Sequence, residues 1–276
     1  MNSVVLFFVR LRNFIVPPQT WQEGRVLWMR EKASRGVKRL FAARLKVLGN
    51  KKGNRCFISR RCGRNVRVMF YGNGNSVSIH SANLCGGRVE VEIRGNGNVV
   101  DIESLQVKGF ARIKCVGEDC HVNISGLWIG EKLFLLNGSK IDGVYAKGAV
   151  CTIGKDVTAE SVSIYNLHSN CQLKIGDSCM ISKDVVLMNS DSHPIYSRDS
   201  GIMVNRPKKP LSIGNNVWLG MRSSVLKGVS IANGCIVGYG TVVAKDVDVT
   251  NSVWAGSPAK MVGESVAWKR YDAEFV

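Results

Sequence analysis

One stretch of the chain collects side chains able to do chemistry. Between Leu187 and Ile213 lie His193, Asp191, Tyr196, Arg198, Asp199, Arg206, Lys208 and Lys209. An alcohol is a poor nucleophile until its proton is removed, and imidazole can remove a proton near neutral pH. His193 is therefore a candidate general base for transfer of a group to a hydroxyl. Asp191, two residues earlier, could orient the ring, and a backbone carbonyl could do so equally well. Histidines on loops are more often bystanders, so the reading depends on what surrounds this one.

Other chemistries find less support. The nine cysteines show no pairing rhythm and no CxxC, so neither a disulfide framework nor a zinc site is expected, and a reducing compartment fits best. Cys235 falls on a core position and is no nucleophile, and the other isolated cysteines read as small core residues. His80, His121 and His168 are not grouped as metal ligands would be. Gly72-Asn73-Gly74-Asn75 and Gly95-Asn96-Gly97-Asn98 read as repeat turns rather than phosphate loops.

The elements around the candidate base repeat every six residues. From Ile213 to Asp248, six consecutive blocks begin with Ile, Leu or Val. Five of the six carry Gly or Ala second, and all carry a small or β-branched fifth residue. Neither helix period nor simple alternation gives this pattern; short strands forming the walls of a triangular prism do. The first-position aliphatic would fill the interior, and the small second residue would let the chain bend. Three blocks close a coil, and coils stack about 4.8 Å apart. Looser, wider coils are expected over residues 57–170. Leu187 and Ile213 are 26 residues apart, one repeat plus a 20-residue excursion, so the stretch holding His193 is a loop leaving one face of the solenoid.

Charge divides the chain unevenly. Residues 1–67 carry seventeen Lys and Arg against Glu23 and Glu31, and the remainder is close to neutral. Val4 to Val9 is apolar but too short to span a bilayer, and its positive charges follow it, unlike those of a secretory signal. Glu31 to Leu48 places Val37, Leu40, Phe41, Leu45 and Leu48 on one helical stripe, with Gly49 as its cap. This basic segment reads either as an interfacial membrane anchor or as a cap on the solenoid or on a neighbouring subunit. No nucleic-acid recognition motif accompanies the charge. The expected division is a basic helical segment over 1–55, a solenoid over 56–262 with a loop at 189–210, and a tail over 263–276.

Four motifs in order carry a resemblance. They are Ser190-Asp191-Ser192-His193-Pro194-Ile195-Tyr196, Ile213-Gly-Asn-Asn-Val-Trp218-Leu-Gly220, Val237-Gly-Tyr-Gly-Thr-Val-Val-Ala-Lys245-Asp246, and Trp254-Ala-Gly256-Ser-Pro258-Ala-Lys260. Over about residues 170–262 the chain resembles the hexapeptide acyltransferases. It is nearest to the galactoside, maltose and xenobiotic acetyltransferases and to capsule and lipopolysaccharide O-acetyltransferases. The resemblance implies a mainly β fold, a left-handed parallel β-helix, assembled as a homotrimer with sites shared between subunits. It implies acetyl-CoA as donor, a glycan or sugar hydroxyl as acceptor, and His193 as base in direct transfer. Trp218 and Tyr196 would line the acyl or acceptor pocket. Gly220, Met221, Gly238, Tyr239, Ala244, Lys245 and Lys260 would meet the cofactor, with the two lysines toward its phosphates. The chain departs from the family pattern at Tyr239, where relatives carry a small residue, and at Gly263, where they carry a basic one. No metal is implied, and the expected location is the cytoplasm, at the inner face of the membrane if the N-terminal segment is an anchor. An amino sugar or a small alcohol such as serine is the rival acceptor, and a non-enzymatic solenoid that binds partners is the rival class.

Overall fold

A computed structural model describes residues 46–49, 52–59, 66–84, 88–107 and 109–271, and their regular structure is entirely β. Strands pair in parallel with the strand one coil later and fall into three walls. The first wall includes residues 105–107, 127–129 and 157–159, then Met180–Ile181, Trp218–Leu219 and Ile236–Val237. The second includes Val66–Tyr71, Arg88–Arg94, Phe110–Val116, residues 132–137 and 161–166, Val185–Met188, Ser224–Leu226 and Val242–Val243. The third runs from Arg55–Ile58 through His121–Ile124 and Gln172–Ile175 to Ser230–Ile231. Three walls and parallel stacking make a solenoid of triangular section.

The six-residue pattern maps onto this section. First-position Ile213, Leu219, Val225, Ile231, Val237 and Val243 are all buried, as are fifth-position Val217, Ser223, Val229, Cys235, Thr241 and Val247. The small second residue has a different cause from the bend expected. A Cβ on Gly220 would stand 2.6 Å from the carbonyl oxygen of Val237, in the coil stacked on it. Close stacking, not bending, demands glycine there.

Coils are wider toward the N-terminus, as expected. Val91 pairs with Ile113, 22 residues on, whereas Val225 pairs with Val243, 18 residues on. The Gly-Asn repeats are turns, and their second asparagines form a buried ladder. Asn98 Nδ2 donates to Gly117 O at 2.7 Å, and Asn98 Oδ1 accepts the Cys120 N–H at 3.0 Å. These bonds satisfy backbone groups that the corners leave unpaired. A second ladder, Asn137–Asn166–Asn189, has side-chain bonds of 2.7 and 2.9 Å and ends where the excursion begins.

The N-terminal expectations meet the structure only at their end. Residues 1–45, including the apolar run and most of the helical stripe, lie outside the described residues. Lys46–Gly49 is not the end of a helix: it is a strand paired with residues 67–70, so the solenoid reaches back at least to Lys46 rather than starting at 56. Gly49 is no helix cap. Its φ is 114°, and a Cβ there would meet the Phe70 carbonyl oxygen at 1.7 Å. Only the last stripe residue, Leu48, falls among the described residues, and it lies on this strand.

Candidate active site

The excursion 189–210 leaves the edge between the second and third walls, because Met188 ends one and Leu211 begins the other. Its base is pinned from below. Ser190 is fully buried, its Oγ lies 2.9 Å from His168 Nε2 and accepts the Ser192 N–H at 3.0 Å. Ser192 takes φ 66° and reverses the chain so that His193 follows on the outside.

Asn205 then closes the loop on itself. Its Nδ2 donates to Asp191 Oδ2 and to His193 O, each at 2.8 Å, and its Oδ1 accepts the Ile195 N–H at 2.8 Å. Asp191 is also paired with Lys227 of the next coil. Partial burial works against ionisation of Asp191, but the hydrogen bonds from Lys227 and Asn205 outweigh it and hold the carboxyl below its ordinary range. The Asp191 carboxylate is thus bonded away from the imidazole, while its backbone carbonyl accepts the His193 N–H at 2.8 Å. The His193 side chain is exposed and, among the described residues, has no hydrogen-bond partner.

Beyond His193 the loop forms a small hairpin, with Tyr196 bridging Met203. Ile195, Tyr196, Ile202 and Val204 stand exposed on it.

A groove of 430 Å³ follows the edge between the first and second walls. Trp218, Gly220, Met221, Gly238 and Tyr239 line it, together with Ser182 and Glu160. Trp218 donates from Nε1 to Ser182 Oγ at 3.2 Å. Arg222 donates to Tyr239 Oη at 2.9 Å and so brings a cation to the rim. Gly238 leaves its corner open, since a Cβ there would meet nothing closer than 3.4 Å.

The expected site residues therefore divide between two edges at opposite ends of the second wall. Trp218, Gly220, Met221, Gly238 and Tyr239 share the groove. Asp191, His193 and Tyr196 leave the other edge, and Ala244 and Lys245 follow Val242–Val243 there. Asp246 of that turn pairs with Lys209 of the loop. Lys260 is exposed on the terminal strand Lys260–Gly263. Asn205, Ser182, Glu160 and Arg222 went unnoticed in the sequence. None stands in a distinctive local pattern, and each gains meaning only from the coil or turn it faces.

Six of the nine cysteines are buried among the described residues, and burial pushes up the thiols of Cys115, Cys120, Cys151, Cys171 and Cys179, Cys151 to about 12 and Cys171 to about 11. They are packing residues, as expected.

Comparison with known proteins now bears on this geometry. Residues 210–245 match the family of bacterial transferase hexapeptide (six repeats). A polysialic acid O-acetyltransferase of Neisseria meningitidis is 32% identical over 163 residues, which cover 56% of this chain and 74% of that protein. The chain belongs to the hexapeptide-repeat acetyltransferases. A polysialic acid O-acetyltransferase of Escherichia coli O1:K1 is 34% identical over 136 residues, 49% of this chain and 43% of that relative. The alignment thus spans less than half of the E. coli protein. Among solved structures, a polysialic-acid-specific acetyltransferase superposes with a TM-score of 0.58 at 28% identity, covering 83% of this chain and 90% of that one.

Proposed function

We propose that this acetyltransferase moves an acetyl group from acetyl-CoA to a hydroxyl of a capsular or lipopolysaccharide glycan, and that its left-handed solenoids assemble as a trimer. The observation that carries the reading is the His193 imidazole, held outward by Asn205 and Ser190 yet left without a partner of its own. The acceptor named for the Neisseria and E. coli relatives, polysialic acid, supports a glycan.

In this reading the donor lies in the groove, with its chain against the open corner at Gly238 and Arg222 near its anionic end. His193 takes the proton from the acceptor hydroxyl as that oxygen attacks the thioester carbonyl. The carbon–sulfur bond then breaks, and the imidazolium returns its proton to the departing thiolate. Direct transfer needs no covalent enzyme intermediate, which agrees with the burial of six of the seven described cysteines.

The division of the site between two edges supports assembly. His193 of one copy, with Lys245 beside it, would face the groove of the next, so that each site uses both ends of the second wall. The basic N-terminal quarter would keep the enzyme in the cytoplasm against an anionic membrane surface, where lipid-linked glycans are built.

The test is acetyl-CoA turnover with a panel of glycans, amino sugars and serine. Wild type should acetylate a glycan hydroxyl, and His193→Ala should lose about 10²- to 10⁴-fold. Equal turnover by both chains would remove the base, and transfer only to an amine or to serine would remove the acceptor.

A further inference from the structure

Val253–Ala255 pairs antiparallel with Lys260–Gly263, and beyond this hairpin the chain turns back along the solenoid. The Val266 N–H donates to Asn251 O at 2.9 Å, Trp268 Nε1 to Asn216 O at 2.8 Å, and Arg270 to Asp156 Oδ1 and O at 2.9 Å each. Arg270 also donates to Cys179 O at 3.3 Å. The tail thus touches successive coils in reverse order and straps the edge between the third and first walls. Midway along it the Trp268 ring stands 6.1 Å from the Trp218 ring, inclined at 49°.

Trp218 is the largest side chain of the groove, and it stands outward on the first wall in register between Met180 and Ile236. Its indole is fixed by Ser182 at the nitrogen and by Trp268 at the ring. Tilted aromatic pairs at this separation attract beyond simple burial. Arg270 anchors the far end of the strap through its planar fork, so Trp268 is held on both sides along the chain.

We propose that Trp268 is a positioning residue: the C-terminal strap sets the orientation of Trp218 and with it the shape of the groove wall. This rests on the groove being the substrate site. No described residue of the strap lines the groove, so its effect must pass through Trp218.

A double-mutant cycle on the full chain tests this, with acetyl transfer, substrate KM and thermal unfolding measured for Trp218→Ala, Trp268→Ala and the pair. With Trp218 present, Trp268→Ala should lower kcat/KM about tenfold, as displacement of a site residue does. The loss should fall on KM for the same substrate whose KM Trp218→Ala raises. In the Trp218→Ala background the second change should cost less than about twofold. Trp268→Phe, which keeps a ring, should retain most activity, and Arg270→Gln should reproduce part of the loss only when Trp218 is present. Equal losses in both backgrounds would show that the tail acts on the fold at large and would overturn the proposal. So would full activity of Trp268→Ala where Trp218→Ala is impaired. If Trp218→Ala itself costs nothing, the groove reading fails first, and the strap proposal with it.

Discussion

The side-chain amide of Asn205 lies 2.8 Å from both the carboxylate of Asp191 and the backbone carbonyl of His193, and so ties the far end of the loop to the turn that presents the imidazole. Asn205→Ala would remove three loop hydrogen bonds at once and leave His193 O and the Ile195 N–H without the partner they have in the loop, while Asp191 keeps Lys227. It should destabilise the loop by about 1–3 kcal/mol and lower transfer at least about tenfold, since the base would no longer be held in place. Activity and thermal unfolding of the variant check this. Normal turnover would mean the loop is ordered by something other than Asn205.

A pH effect follows from His168. Burial pulls its imidazole below the ordinary 6.5, Arg206 and Lys227 add to the shift, and Asp191 opposes it. Between the folded value and 6.5 the unfolded chain binds more protons, so stability falls as pH falls through that window and is complete above it. Asp191 titrates below its ordinary 3.8 in the folded chain and contributes nothing in this window. Denaturant unfolding from about pH 7.5 to 5 should therefore show a steeper acid loss for wild type than for His168→Gln. Parallel curves would contradict it.

Glycines of the two groove corners should respond oppositely to alanine. Gly220→Ala pushes a methyl to 2.6 Å from Val237 O and should cost about 1–3 kcal/mol of stability. Gly238→Ala meets only ordinary contacts, so it should fold normally and raise KM for the donor by narrowing the groove. Unfolding midpoints and donor KM values for the two variants would separate these effects, and similar midpoints would contradict the stacking argument.

Much of this was legible in the sequence, for physical reasons that vary by element. The coils were, because first-position aliphatics such as Leu219 and fifth-position residues such as Cys235 repeat at a spacing only stacked corners require. The loop was, because it interrupts that spacing between Leu187 and Ile213. The role of Asp191 was not, since a carboxylate near a histidine in sequence says nothing about Lys227 or Asn205 approaching it from elsewhere. Nor was the separation of His193 from Trp218 onto two edges, because which corner a loop leaves depends on counting walls. The strand at Lys46–Gly49 was hidden beneath a helical stripe that ends at the same glycine.

The account stands or falls on whether one copy's imidazole serves another copy's groove. Chains bearing His193→Ala and chains bearing Trp218→Ala, each impaired alone at substrate concentrations below the Trp218→Ala KM, can be co-expressed with different tags and the mixed oligomers purified. In a trimer with shared sites, each purified mixed trimer has one site in three, about one third, that combines an intact histidine with an intact tryptophan. Activity should therefore reappear at about that fraction of wild type. Mixed oligomers no more active than the separate variants would contradict the shared site.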